Sequence, residues 1–368
     1  MKILKFEAEN FRNVKKTAFS PSKNCNIFIG ENGHGKTNLL EALCLFTGEK
    51  SFRRAKEADM IRFDEEYSEL RVKFFSQERE QTAKIRFFLE KGSLKKQIEL
   101  NGVKKRSASA LNGVLCTVIF SPEDLRIIKD GPEERRRLID TAVTQLIPSY
   151  SGLINSYQRT VFQRNSLLRE ISKSGRGLET LDVWDMRLAR LGAKIVKHRK
   201  HYIDRISPFA QKHYEGISGG KEKLTFSYIS SAGETEEEFL SKLKSTRQKD
   251  IELCQTNIGP HRDDTEILLD SRLVRHFGSQ GQQRSVVLAM KLSEADVLSE
   301  KYGEPPVLLL DDVLSELDVN RQNYLIGKIN KYQVFITCCE AHLSLKGRQY
   351  TVEKGKIRLR KEKKCTSV

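Results

Sequence analysis

Gly30-Glu31-Asn32-Gly33-His34-Gly35-Lys36-Thr37 is the stretch on which the reading of this chain turns. It fits G-x-x-x-x-G-K-[ST] without a mismatch, and its flanks fit too. Cys25 to Ile29 is an apolar strand running into the loop, and Leu39, Ala42, Leu43 and Phe46 give an apolar helix face after it. Glycines let such a loop curl until its backbone N–H groups face phosphate oxygens, and the helix N-terminus adds its positive dipole end. Gly30, Glu31, Asn32, Gly33, His34 and Gly35, with Asn38 just beyond, are therefore candidate nucleotide contacts. Lys36 is placed to reach the β/γ-phosphates and Thr37 to put its hydroxyl on Mg²⁺. A glycine-rich turn with a surface lysine is the plainer alternative, and the strand-loop-helix context argues against it.

Hydrolysis needs a carboxylate as well. Val307-Leu308-Leu309-Leu310-Asp311-Asp312 supplies a pair, since a buried apolar strand delivers its last residues to the carboxyl edge of an α/β sheet, where ligands sit. Asp311 is then the expected Mg²⁺ partner, directly or through water, and Asp312 is placed to orient or deprotonate the attacking water. Lys36 and Asp311 are separated by most of the chain, too far for a simple nucleotide kinase or small GTPase, so an inserted lobe must lie between them. Asn330-Lys331-Tyr332-Gln333 lacks the aspartate of a guanine-reading N-K-x-D, which favours ATP.

The rest of the chain fits that plan. At 368 residues it is long enough for two domains at roughly 150 residues each. Alternation at Leu70 to Phe74 and Ala83 to Phe88 predicts strands in the first third, whereas Pro132-Glu133-Glu134 opens a long charged helical stretch in which Leu188, Leu191, Ile195 and Val196 recur at helical spacing. A strand-like stretch returns at Thr265 to Val274. We expect an α/β core lobe from residues 1–120 and 300–368 and a mainly helical lobe from 121–299. No apolar run approaches the roughly 20 residues of a spanning helix, and the alternating start has no signal-peptide pattern, so the expected location is the cytoplasm. The seven cysteines show neither C-x-x-C nor paired histidine spacing, which discourages a disulfide framework or a zinc site. Lysine and arginine number 65 against 49 acidic residues, a net +16 that calls for a polyanionic partner.

Phe277-Gly278-Ser279-Gln280-Gly281-Gln282-Gln283-Arg284 precedes an apolar helix and resembles the S-G-G-Q signature of ABC-type ATPases, with Gln280 where the first glycine usually stands. By itself it is only a turn before a helix. In that class the signature faces the phosphate loop of a second subunit, which makes Ser279, Gln280, Gly281 and Gln282 candidate nucleotide contacts across an ATP-sandwiching homodimer. Ser315-Glu316-Leu317-Asp318 resembles the D-loop of the same class.

Six blocks together resemble the RecF family of bacterial recombination mediators. They are Asn10 to Asn13, Gly30 to Asn38, Phe120 to Leu125, Gly131-Pro132 with Arg135 to Arg137, Gly259 to Asp264 and Leu309 to Asp318. The resemblance implies a P-loop ABC/SMC-type ATPase head with an inserted, mainly helical second lobe. It implies slow DNA-stimulated ATP hydrolysis, ATP-dependent dimerisation on duplex DNA or single-strand/double-strand junctions, and action with RecO and RecR in loading RecA. Other SMC-like repair ATPases and a nucleotide-dependent protein scaffold are the competing readings. Cys338-Cys339-Glu340 stand where the family tends to have threonines and an acid; His342 nearby is not assigned a phosphate role.

Several readings stay open on sequence alone. Arg12 either reaches the nucleotide from a neighbouring strand or is an ordinary surface arginine. His261-Arg262-Asp263 echoes a kinase catalytic loop, but position 268 is Leu, and a structural network around a turn competes with nucleotide contact. For DNA, the basic residues Arg159, Arg164, Arg169, Lys194, Lys197, Arg199 and Lys200 of the helical lobe and Lys354, Lys356, Arg358, Arg360, Lys361, Lys363 and Lys364 of the tail are candidates, against the alternatives of a solvated helix face and a frayed end.

Overall fold

A computed structural model describes residues 1–340 and 346–360, so His342, Lys361, Lys363 and Lys364 lie outside the described residues. The chain divides into two compact units, Met1–Asp124 with Lys291–Val368, and Leu125–Met290.

In the first unit, the apolar run at 307–311 is buried at every position, as a strand covered on both faces must be. It is β12 (Val307–Asp311) of a six-stranded sheet with the order β15 (Lys356–Leu359), β14 (Arg348–Glu353), β3 (Cys25–Ile29), β13 (Gln333–Cys338), β12 and β8 (Thr117–Phe120). From β14 to β8 all neighbours are parallel. The helix after β3 is α1 (Lys36–Cys44); α9 (Val319–Ile329) connects β12 to β13.

A second, antiparallel sheet has the order β2 (Val14–Phe19), β1 (Lys2–Phe11), β4 (Tyr67–Ser76), β5 (Arg79–Glu90), β6 (Ser93–Leu100) and β7 (Val103–Lys105). Phe6, Phe19, Phe28, Phe335 and Tyr350 fill the space between the sheets, with Phe28 stacked on Tyr350 at 4.8 Å between centroids. The buried Gln333 amide joins them, accepting from Ile3 N at 2.6 Å and donating to Ile3 O at 2.9 Å.

The second unit holds α2 (Arg126–Lys129), α3 (Pro132–Leu146), α4 (Tyr150–Ser174), α5 (Leu181–Ser218), α6 (Glu236–Leu253), α7 (Val274–Phe277) and the start of α8 (Gln280–Tyr302). Pro132 is the first residue of α3, where its missing N–H costs nothing. The stretch expected as one strand over 265–274 is a hairpin, β10 (Asp264–Leu269) and β11 (Arg272–Leu273), with β9 (Leu224–Ile229) on its other side. Asp270 and Ser271 both have positive φ, the conformation a two-residue hairpin turn requires, and no glycine announced it.

Candidate active site

The loop leaves β3 through two glycines that sequence neighbours alone do not explain. A Cβ on Gly30 would lie 2.2 Å from Val352 O of β14, and one on Gly35 would lie 2.5 Å from the Asn13 side chain. Gly35 also sits at φ 105° as the residue before α1, a conformation side-chain-bearing residues avoid. Asn13, from the β1–β2 turn, receives a hydrogen bond from Asn38 Nδ2 at 2.9 Å and so buttresses the loop from beneath. Glu31, Asn32 and Gly33 are exposed at the crest and His34 is half-buried, its carbonyl accepting from Gly355 N at 2.9 Å.

Lys36 is 6% exposed. Its Nζ donates to Gly30 O at 2.5 Å, Glu31 O at 3.1 Å and Cys339 Sγ at 3.6 Å. Among the described residues no carboxylate pairs with it, so a buried cation is ringed by neutral acceptors. Thr37 Oγ1 donates to Asp311 Oδ1 at 2.9 Å, which brings the end of the loop to the end of β12 as the two motifs require.

The strand between them contributes a residue the motifs do not contain. Thr337, on β13, donates to Asp311 Oδ1 at 2.8 Å and accepts from Asp312 N at 3.0 Å, fixing both aspartates from a fully buried position. Burial raises the Asp311 carboxyl above its ordinary range, with the Asp312 charge adding to it, while the two threonine hydroxyls pull the other way. Asp312 has φ 51°, and its carboxylate makes no hydrogen bond among the described residues. That left-handed turn re-aims its side chain away from the alternation of β12.

Arg12 is neither a loose surface arginine nor free. It grips Glu41 of α1 through Nε and Nη2 on one edge of its guanidinium, at 3.0 and 2.8 Å, and Glu41 is fully buried, also accepting from Ser51 Oγ. Arg53, which sequence reasoning passed over, donates to Asn38 Oδ1 at 2.8 Å, and its charge weakly opposes the burial that raises the Asp311 carboxyl.

In the second unit, Ser279 and Gln282 form a reciprocal cap on α8. Ser279 N donates to Gln282 Oε1 at 2.6 Å and Gln282 N to Ser279 Oγ at 3.2 Å, leaving the serine O–H free to donate. Gln280 is the first residue of α8 and exposed, with Gly281 half-buried behind it. The signature stretch is thus an open helix N-terminus.

The family model for the RecF/RecN/SMC N terminal domain matches residues 2–358. The DNA replication and repair protein RecF of Agathobacter rectalis is 41% identical over 338 residues, 92% of each chain, and that of Desulforamulus reducens is 42% identical over 347 residues, again 92% of each. The chain belongs to the RecF family. A solved structure of the recombination mediator protein RecF with ATP, of the RecFOR pathway, superimposes with a TM-score of 0.91 at 36% identity over 98% of both chains. An Smc head superimposes at 0.58 with 16% identity, a likeness of fold. The RecF-type α/β head with its long helical insertion is therefore the fold of this chain.

Two arginines offered above as DNA contacts do not face solvent in this RecF-family structure. Arg164 is fully buried, at 2.7 Å from both Asp185 and Asp250, and Arg199 is 3% exposed, gripping Asp140 at 2.8 and 2.9 Å. Helical spacing gives a basic residue's face but not its ion-pair partner, and here the partners are 21 to 86 residues away. Arg159, Arg169, Lys194 and Lys197 are exposed, and Lys200 pairs with Glu234. Lys354, Lys356, Arg358 and Arg360 are exposed on or beside the β14–β15 hairpin, so this part of the basic tail is ordered strand.

The 259–264 block forms a hydrogen-bonded network within the second unit. His261 Nε2 faces Thr256 O at 3.0 Å and Nδ1 faces Tyr157 OH at 2.8 Å, which requires the proton on Nε2. Burial holds that imidazole below its usual pKa range and so neutral. Asp263 accepts from Tyr228 OH, Ser231 N and Ser231 Oγ at 2.7 to 2.8 Å.

Proposed function

We propose that this RecF-family chain is an ATP-controlled DNA-binding protein of recombinational repair and replication-fork maintenance. ATP would close two copies into a homodimer on duplex DNA or on single-strand/double-strand junctions, and slow hydrolysis would release it. The observation that carries the reading is the junction of Lys36, Thr37 and Asp311, a buried cation without a counter-ion among the described residues beside a hydroxyl and a carboxylate in contact. Thr37 Oγ1 and Asp311 Oδ1 are hard oxygen donors of the kind Mg²⁺ takes, and Mg²⁺ held there would neutralise charge on the phosphates.

Lys36 would leave the Gly30 and Glu31 carbonyls for phosphate oxygens. Asp312, free to accept a hydrogen bond, would orient or deprotonate the attacking water. An aspartate here, one methylene shorter than the glutamate common in ABC ATPases, suits a timing switch. Ser279 Oγ, Gln280, Gly281 and Gln282 of a second copy would meet the phosphates with a helix N-terminus. DNA phosphates would be met by exposed Arg159, Arg169, Lys194 and Lys197 and by the β14–β15 hairpin, giving sequence-independent affinity. By analogy with relatives named for the RecFOR pathway, RecO and RecR are the expected partners and RecA loading the expected outcome.

Sedimentation with and without ATP, for the natural chain and for Lys36→Arg, tests the sandwich: the natural chain dimerises with ATP and the variant does not. A natural chain that stays monomeric at saturating ATP sinks the proposal. Asp312→Asn distinguishes a hydrolytic switch from a scaffold that merely holds nucleotide, because only a switch loses turnover, by ~10²-fold or more, while binding persists.

A further inference from the structure

β13 ends at Cys338, and Cys339 just beyond it has the opposite character. Cys338 is buried and its carbonyl accepts from Gly30 N at 3.3 Å. Cys339 is exposed, its thiol donating to Asn32 Oδ1 at 3.1 Å while its sulfur accepts from Lys36 Nζ at 3.6 Å. The sulfur therefore bridges the crest of the phosphate loop and its lysine. An independent feature marks the same spot as an anion's place: Lys36, 94% buried, has no carboxylate partner among the described residues and holds its donors on two carbonyls and this sulfur.

We propose that Cys339 is an oxidation site that couples the nucleotide pocket to peroxide: it is oxidised in the nucleotide-free chain, shielded when nucleotide is bound, and once oxidised it blocks nucleotide binding. The inference rests on the nucleotide reading given above and adds a regulator to it. In the step, one peroxide oxygen bonds to the sulfur as the O–O bond breaks, and the other oxygen leaves as water with the thiol proton. The sulfur becomes a sulfenic acid, losing two electrons that the peroxide gains, and added dithiol reverses it. The new S–OH group fills the space between Asn32 and Lys36 Nζ and gives the lysine an oxygen acceptor in place of a phosphate oxygen.

The other described cysteines are poorly suited to the same chemistry. Burial pushes the thiols of Cys44 and Cys116 up to about 12 and those of Cys25 and Cys338 up to about 11, which keeps them protonated. Cys254, half-exposed in the second unit, donates its thiol to Ile251 O at 3.5 Å and contacts no cation among the described residues.

The test uses full-length chain carrying Cys254→Ser and Cys365→Ser, treated with hydrogen peroxide with and without Mg²⁺ and a non-hydrolysable ATP analogue. Peptide mass spectrometry reads oxidation at residue 339, and equilibrium binding of a fluorescent ATP analogue reads the pocket. We expect nucleotide to slow oxidation of Cys339 at least tenfold, oxidation to weaken nucleotide binding at least tenfold, and dithiothreitol to restore it. With Cys339→Ser in the same background, treated and untreated samples bind alike. Full oxidation of Cys339 with unchanged nucleotide affinity overturns the proposal, as does an oxidation rate indifferent to nucleotide. An untreated chain that binds no ATP overturns the nucleotide reading and this proposal together, so the two failures are told apart by the untreated control.

Discussion

At the scale of single residues the site combines strain, burial and a lysine held by neutral acceptors. Gly35→Ala puts a Cβ into both a left-handed backbone and the Asn13 side chain, and should abolish ATP binding while lowering thermal stability by ~1–3 kcal/mol, read by calorimetry with and without nucleotide. Asp311 makes an opposite prediction. Its charged form is disfavoured by burial, so Asp311→Asn, which still accepts from Thr37 and Thr337, should stabilise the nucleotide-free chain by ~1 kcal/mol at neutral pH while ending hydrolysis. The raised carboxyl means the natural protein gains stability as pH falls through that carboxyl's folded-state pKa and becomes protonated. The advantage of the variant therefore shrinks toward acid, and an advantage constant with pH would contradict the assignment. Lys36, Thr37 and Asp311 could be named from motif spacing. Thr337 could not, because a threonine at the end of an apolar strand has no signature until one knows which strand lies between β3 and β12.

At the scale of elements, the start of α8 carries two jobs that one pair of variants separates. Ser279→Ala removes the cap and should cost ~1 kcal/mol. Ser279→Asp caps as well as serine but sets a carboxylate against phosphate, so stability should hold while ATP-driven dimerisation in sedimentation fails. If Ser279→Asp dimerises normally, the signature assignment is wrong. The second unit is clasped by Arg164 of α4 between Asp185 of α5 and Asp250 of α6. Arg164→Met leaves buried Asp185 with Arg247 alone and buried Asp250 with only the Asn257 donors, and should destabilise by ~3 kcal/mol in denaturant titration, far beyond the effect of losing a surface DNA contact. Helix α3 and strands β1, β4, β5 and β12 were legible from periodicity and a proline. The β10–β11 hairpin was not, because Asp270 and Ser271 reach positive φ without the glycine that usually signals it.

For the whole molecule, the net +16 is a statement about the partner and its tests are ionic. DNA affinity should fall linearly with the logarithm of salt, and Lys354→Ala combined with Lys356→Ala should flatten the slope by up to ~2, since each phosphate neutralised contributes ~0.9. An unchanged slope removes the β14–β15 hairpin from the DNA surface. The sequence by itself determined the P-loop α/β class, the need for an inserted lobe between Lys36 and Asp311, the two motif ends of the site, and the RecF-family resemblance. These are local patterns, and glycines, apolar runs and paired carboxylates keep their meaning wherever the chain goes next. Only the tertiary structure decided that Thr337 joins the two aspartates, that Arg12 is committed to Glu41, that Arg164 and Arg199 are buried ion pairs, and that Cys339 touches Lys36. Each of those depends on a partner far along the chain, and a residue's charge or hydroxyl specifies what it can bind but not which distant strand will bring the other half.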